Sequence, residues 1–195
     1  AGITQPWTDA DLAQSAGLNT NWLDEMRRTG ILQSYDLSVA GSSEHSNYYL
    51  AAGYQDNKGM VIGTDYKRYS FMANTDHKIG KRIKFGNSLN IFSTTRNGNS
   101  DYYRLAAVKV PLTRAFEDDG TYGMIHNTTL EHMFENPIWM AKENVNTEQD
   151  RGLRGNLYLS VDLIDGLKFT TRGSLNWNHG FDNRFIPGVP AGLGW

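Results

Sequence analysis

The sequence predicts an all-β chain: an antiparallel sheet of about six long strands, joined alternately by short turns and long loops. Three observations carry that expectation. First, residues 153–179 keep an apolar and a polar parity. Leu153, Leu157, Leu159, Val161, Leu167, Phe169, Leu175 and Trp177 fall on one parity, and Arg154, Asn156, Ser160, Asp162, Lys168, Arg172 and Asn176 on the other. Second, the parity survives the turn at Asp165-Gly166. Third, the alternating runs are about 13–14 residues long, against roughly 5–6 for an ordinary soluble strand.

Taken in order, residues 1–32 are polar and read as loop, with a short helix near 21–28 that Thr20 or Asn21 could cap. From Tyr35 the period becomes two, with Tyr35, Leu37 and Val39 opposing Asp36, Ser38 and Ala40. The serine-rich stretch 42–46 turns the chain. Tyr48, Leu50, Ala52 and Tyr54 then share a face. After a loop at 55–65, Tyr69, Phe71, Ala73 and Ile79 oppose Arg68, Ser70, Asn74 and Asp76. A turn at 80–82 leads to Ile83, Phe85, Leu89 and Ile91, opposed by Lys84, Ser88 and Asn90. The strands are expected near 33–41, 47–56, 66–79, 83–95, 151–164 and 167–179. Between them lies a long loop, 96–149, of weak periodicity, with one short strand near 105–110.

Register follows from parity, because residues facing each other in an antiparallel pair lie on the same side. A two-residue loop at Asp165-Gly166 would set Leu163 against Lys168. A three-residue loop at 164–166 pairs Leu163 with Leu167, Val161 with Phe169 and Leu153 with Trp177, and places a glycine where positive φ is wanted. The same arithmetic pairs Ile79 with Ile83 across Gly80-Lys81-Arg82.

Composition narrows the class. The chain is 39% hydrophobic and 12% aromatic, which argues against disorder. A net charge of −2 gives no electrostatic case for nucleic acid. Without cysteine there is no disulfide framework and no thiolate metal site. No apolar run is long enough for a membrane helix, which leaves a membrane barrel untouched, since a barrel hides its apolar face in alternation. The polar face carries Arg154, Asp162, Lys168 and Arg172, which a water-filled or plugged lumen tolerates and a sandwich core does not. Pattern alone leaves a membrane barrel and a large soluble β-sheet protein both open. The opening residues lack the basic end and apolar core of a secretory signal. Both ends read as loop, so a piece of a longer protein is expected.

Chemistry-bearing motifs are sparse. His126 and His132 stand six apart, where a zinc-binding helix needs four, so a loop is the favoured reading. Glu117-Asp118-Asp119-Gly120 lacks the alternating acids and closing Glu of a calcium loop and reads as a solvated turn. No catalytic, cofactor-binding or metal-ligating residue is assigned. Tyr48, Tyr69, Phe71 and Trp177 lie on the apolar face, where interfacial or lipid-facing packing is the default. Trp7, Trp22, Tyr122 and Trp139 lie in loops and are the candidates for ligand or lid contact; packing of loop against loop is the competing reading.

Residues 20–79 resemble the early barrel of SusC-like (RagA-type) TonB-dependent outer-membrane transporters. The matching residues are Thr20, Trp22 and Asp24; the Leu-Ser-Val-x-Gly strand ending at Gly41; Tyr48-Tyr49; Gly53, Tyr54 and Gly59; Asp-Tyr-Lys-Arg-Tyr-Ser at 65–70; and Asn74 with Asp76. Residues 135–144 and 155–171 resemble the family's Asn-Pro loop and a following hairpin. The departures are small: Ala40 and Ser42 flank Gly41 where the family often has Ser-Gly-Gly, and Met72 stands where a basic residue is common.

The resemblance implies a 22-stranded plugged barrel, of which this chain supplies about six transmembrane strands and their extracellular loops. Residues 1–32 would be extracellular loop and 33–195 partial barrel. It implies an active importer of glycans or peptides in the outer membrane of a Gram-negative, Bacteroidota-like cell, with no enzymatic step and no cofactor. The implied partners are the rest of the barrel and its plug, a SusD-like surface lipoprotein as lid, the TonB complex through segments absent here, and outer-membrane lipid. On this reading Asn127-Thr128-Thr129 is a glycosylation sequon by form only. The competing function is a soluble secreted carbohydrate-binding module or glycoside hydrolase fragment, and a weaker third is a passive porin or assembly protein.

Overall fold

The computed structural model describes residues 9, 13, 15–98, 101–123 and 136–188. Its elements in chain order are α1 (Trp22–Glu25), β1 (Ile31–Ser42), β2 (Ser46–Lys58), β3 (Asp65–Ile79), β4 (Ile83–Asn97), α2 (Asp101–Val108), α3 (Pro137–Glu143), β5 (Val145–Ile164) and β6 (Leu167–Phe185). The six strands form one antiparallel meander in the order β1-β2-β3-β4-β5-β6. The segments 43–45, 80–82 and 165–166 turn the chain on one rim; 59–64 and 98–144 cross on the other.

The strands run from 12 to 20 residues and extend past the alternating runs that announce them. β5 begins at Val145, six residues before the readable alternation. Thr147, Glu148, Gln149 and Asp150 are polar on both parities, so nothing marks them as strand. Pairing with β4 and β6 on both sides nevertheless takes up their backbone groups. One expectation is corrected: in place of a strand near 105–110, residues up to Val108 belong to helix α2 and 109–110 are irregular. Ala106 points into a buried cluster that Tyr102, four residues earlier, packs against, and this helical spacing outweighs the short alternation at Val108-Lys109-Val110.

The β3–β4 connection pairs Ile79 with Ile83 across three residues, as parity requires. The β5–β6 connection departs from expectation. Ile164, not Leu163, pairs with Leu167, and the register shifts between Asp162 and Ile164. Leu163 is therefore the extra residue of a bulge, and Asp165-Gly166 closes a two-residue turn with Gly166 at φ +84. The bulge restores the parity, so Val161 still faces Phe169 and Leu153 still faces Trp177.

Because every pairing keeps parity, side chains line up in rows across all six strands. Leu37, Ala52, Phe71, Ile91, Leu153 and Trp177 make one row; Val39, Leu50, Ala73, Leu89, Gly155 and Leu175 make the next. The opposite face carries Ser38, Ala51, Met72, Asn90, Arg154 and Asn176, then Ala40, Tyr49, Asn74, Ser88, Asn156 and Ser174.

The apolar band starts at a ladder of tyrosines. Tyr35 stacks on Tyr54 with centroids 6.4 Å apart, and Tyr54 meets Tyr69 at 5.0 Å. One row beyond them the same face turns polar with Gln33, Asp56, Lys67, Thr95 and Gln149. The band ends at Ile79, Ile83, Val161 and Phe169. From Tyr69 to Ile79 is ten steps, or about 33 Å along the strand. At the 35–45° tilt of barrel strands this is about 23–27 Å of height, the thickness of a membrane barrel's apolar belt.

Among the described residues no second layer covers this band. Leu37 is 77% exposed and Leu157 65%. Of the buried hydrophobic side chains only Ala73 belongs to a strand. A sheet held by backbone pairing, with its greasy face uncovered, is built for an apolar surrounding.

The polar face is knit by cross-strand contacts. Tyr158 reaches over Gly86 to donate its hydroxyl to Asp76 at 2.6 Å. A Cβ at Gly86 would collide with both partners, so this contact needs glycine on the strand between them.

Candidate functional site

Above the long-loop rim, three short helices and two strand connections build the one buried hydrophobic cluster of the described residues. It comprises Trp22, Met26, Ala106, Ala115, Ile138 and Ala141. Asn21 caps α1 by accepting from the Asp24 amide. Asn136 caps α3 by accepting from the amides of Ile138 and Trp139, and its own amide donates to the carbonyls of Ala115 and Gly123. A single buried side chain thus joins the α3 start to the 115–123 turn. The Trp22 indole donates to the Val110 carbonyl at 2.9 Å, and the Lys109 ammonium sits 5.5 Å from its ring. Gly63, at φ +80, lies where a side chain would strike the Ala141 carbonyl, so the 59–64 loop and α3 can close on each other.

This cap frames a cleft of about 580 Å³ at the top of the polar face. Asn57, Tyr66, Arg96 and Glu148 come from one row of β2 to β5; Asn97, Gly98 and Asn146 close the far side. Arg28 fixes the near wall: its guanidinium donates to the carbonyls of Gly59 (2.8 Å) and Thr64 (3.0 Å) and to the Asp65 carboxylate (2.7 Å). Arg96 and Glu148 lie 3.5 Å apart and are largely exposed. The Asn146 amide donates to the Gly98 carbonyl at 3.1 Å. An aromatic face with amide, carboxylate and guanidinium groups around it suits a neutral ligand rich in hydroxyl or amide groups.

The loop aromatics singled out from sequence are placed differently. Trp22 and Trp139 are buried, at 3% and 4% exposure, and Trp22 belongs to the cluster that packs loop against loop. Tyr122 packs on Phe116 at 5.7 Å and donates to Glu143 at 3.1 Å; Lys142 lies over both rings. Burial, then the neighbouring Glu143 carboxylate, raises the Tyr122 pKa above the ordinary tyrosine range. Trp7, His126, His132 and the sequon lie outside the described residues. Glu117-Asp118-Asp119-Gly120 is a hydrogen-bonded turn. Asp119 accepts from the Thr121 hydroxyl and amide, which holds its pKa below the usual carboxylate range. Among the described residues no group of three or more His, Asp or Glu side chains is arranged to hold a metal. The cleft residues Tyr66, Arg96 and Glu148 were not singled out from sequence. Their signal was position: polar-face residues at strand ends beside the long loops.

No protein-family model matches the chain. Individual receptors do. TonB-dependent receptor P3 of Formosa agariphila is 31% identical over 166 residues, covering 78% of this chain and 16% of that receptor. TonB-dependent receptor SusC of Bacteroides thetaiotaomicron is 25% identical over 157 residues, covering 77% of this chain and 16% of SusC. The chain thus spans about a sixth of the curated relatives it matches. Among solved structures, the RagAB peptide transporter superposes with a TM-score of 0.64 at 20% identity, over 84% of this chain and 19% of the matched one. The similarity to SusC-like, RagA-type receptors implied by residues 20–79 holds across most of the chain, and the six-stranded sheet has the fold of their barrel wall.

Proposed function

We propose that this SusC-like chain forms part of the wall and outer loops of a TonB-dependent outer-membrane importer of glycans or peptides. One observation carries the reading above the others: a continuous sheet with an apolar band of membrane height on one face and a polar face on the other, and, among the described residues, nothing packed over that band. A soluble binding module would need that band covered.

On this reading the outer face contacts lipid and the polar face lines the lumen. The cleft at Tyr66, Arg96 and Glu148 lies where a ligand enters from the long-loop rim. The loop cap, rigidified by Trp22, Ile138 and Asn136, offers a firm seat for a SusD-like lid. The work is capture and gating: ligand is held between lid and wall, and plug movement driven through TonB opens the path. The plug and the TonB-contacting segment belong to residues outside this chain.

The test is uptake of labelled oligosaccharides and labelled oligopeptides by cells carrying the full-length receptor, with and without a protonophore. Import that collapses on de-energisation, and falls when Tyr66→Ala and Arg96→Gln are combined, supports the proposal. Uptake that is indifferent to the protonophore would make the protein a passive pore.

A further inference from the structure

At the height of the tyrosine ladder the outward row changes character across the sheet. Tyr35, Tyr54 and Tyr69 on β1 to β3 give way to Ser93 on β4, Arg151 on β5 and His179 on β6. Arg151 and His179 are directly opposed partners, which brings their Cβ atoms to about 4.5–5.5 Å. Trp177, one row toward the band centre, stacks on the His179 ring with planes 8° apart and centroids 6.0 Å apart. Phe181, one row the other way, is 57% exposed.

Two nitrogen-donor side chains therefore sit on the lipid-facing side, at the edge of the apolar band and framed by aromatics. Among the described residues no carboxylate shares their face within reach. Asp150, Asp182 and Glu148 belong to the opposite parity, and the outward neighbours are Gln149, Thr95, Ile91 and Leu153. The Arg151 guanidinium has five N–H donors, and the imidazole donates an N–H in either protonation state. At this depth the surrounding medium is the headgroup layer of the outer leaflet, whose strong acceptors are phosphate oxygens.

We propose that Arg151 and His179 form a binding site for the phosphate of an outer-leaflet lipid headgroup, with Trp177 and Phe181 flanking the lipid's apolar part. The inference rests on the membrane-wall reading above. It adds a fixed lipid to the outer wall, distinct from any cargo site in the lumen.

The test uses the full-length receptor in detergent micelles doped with a phosphorylated outer-leaflet glycolipid or with its dephosphorylated form, with retained lipid counted by native mass spectrometry. The phosphorylated lipid should be retained selectively. Arg151→Gln combined with His179→Gln should cut that retention about tenfold, leaving the dephosphorylated lipid unchanged. Arg154→Gln, next in β5 but one parity off and on the polar face, should have no effect. Equal retention of both lipids, an undiminished double variant, an equal loss in Arg154→Gln, or displacement by millimolar inorganic phosphate would each overturn the proposal. Reconstitution into vesicles separates two kinds of failure. Protein that does not enter the bilayer refutes the wall itself. Protein that enters and shows no phosphate preference refutes only the lipid site.

Discussion

Leu157→Arg should be severely destabilising although Leu157 is 65% exposed. Its outward row also holds Tyr48, Thr75 and Asn87 and lies three rows below the tyrosine ladder and two above the lower boundary. Six residues separate it from Arg151 on the ladder row and four from Val161. Along tilted strands this is about 14–16 Å and about 9–11 Å of depth. An arginine there stands deep in the hydrocarbon, at a cost of about 2–4 kcal/mol, or about 30- to 800-fold in the folding equilibrium. In water the same change at an exposed site would stay within about ±0.5 kcal/mol. The assay is reversible urea unfolding of the full-length receptor in phospholipid vesicles, with Asn156→Arg as the comparison. Asn156 is the neighbouring residue on the polar face and should tolerate the charge. Equal midpoints for the two variants would refute the assignment of faces.

Three further outcomes follow from particular contacts. Gly86→Ala should break the Tyr158–Asp76 hydrogen bond by collision and destabilise the wall by about 1–3 kcal/mol, seen as a lower melting temperature; Tyr158→Phe at Gly86 should cost less. Ile138→Ala, at a fully buried site of the loop cap, should cost about 2–5 kcal/mol locally. Limited proteolysis should then cut the 98–144 segment faster while the strands stay protected. Tyr122 has its folded pKa raised, so its contribution is complete below the unfolded tyrosine pKa and is lost as pH rises through the folded one. Amide exchange in the 115–123 turn should quicken at strongly alkaline pH, and Tyr122→Phe should abolish that step.

Much of the wall was legible because a strand's two-residue period writes each face into parity. Ile79 and Ile83 could be paired from sequence, and so could Val161 and Phe169. Parity alone cannot tell a three-residue loop from a two-residue turn with a bulge, so it gives Leu163 a partner that the structure does not. The first six residues of β5 were hidden because Thr147 to Asp150 offer no contrast between faces. The loop cap was illegible for a different reason. Trp22 is buried by groups far along the chain, its indole bonding the carbonyl of Val110. A loop tryptophan read locally looks free to stack on a ligand. The cleft follows the same rule: Asn57, Tyr66, Arg96 and Glu148 become neighbours only when four strands are in register.

The most direct measurement is a paired accessibility scan. This chain has no cysteine of its own. In the bilayer-reconstituted full-length receptor, with any cysteine outside this chain replaced by serine, single cysteines at Leu37, Leu157 and Leu175, and at Ser38, Asn156 and Asn176, can carry nitroxide labels. Oxygen should relax the labels at the first three and a water-soluble nickel chelate those at the second three, switching with every residue. Labels on both sets that answer equally to the chelate would contradict the assignment of faces.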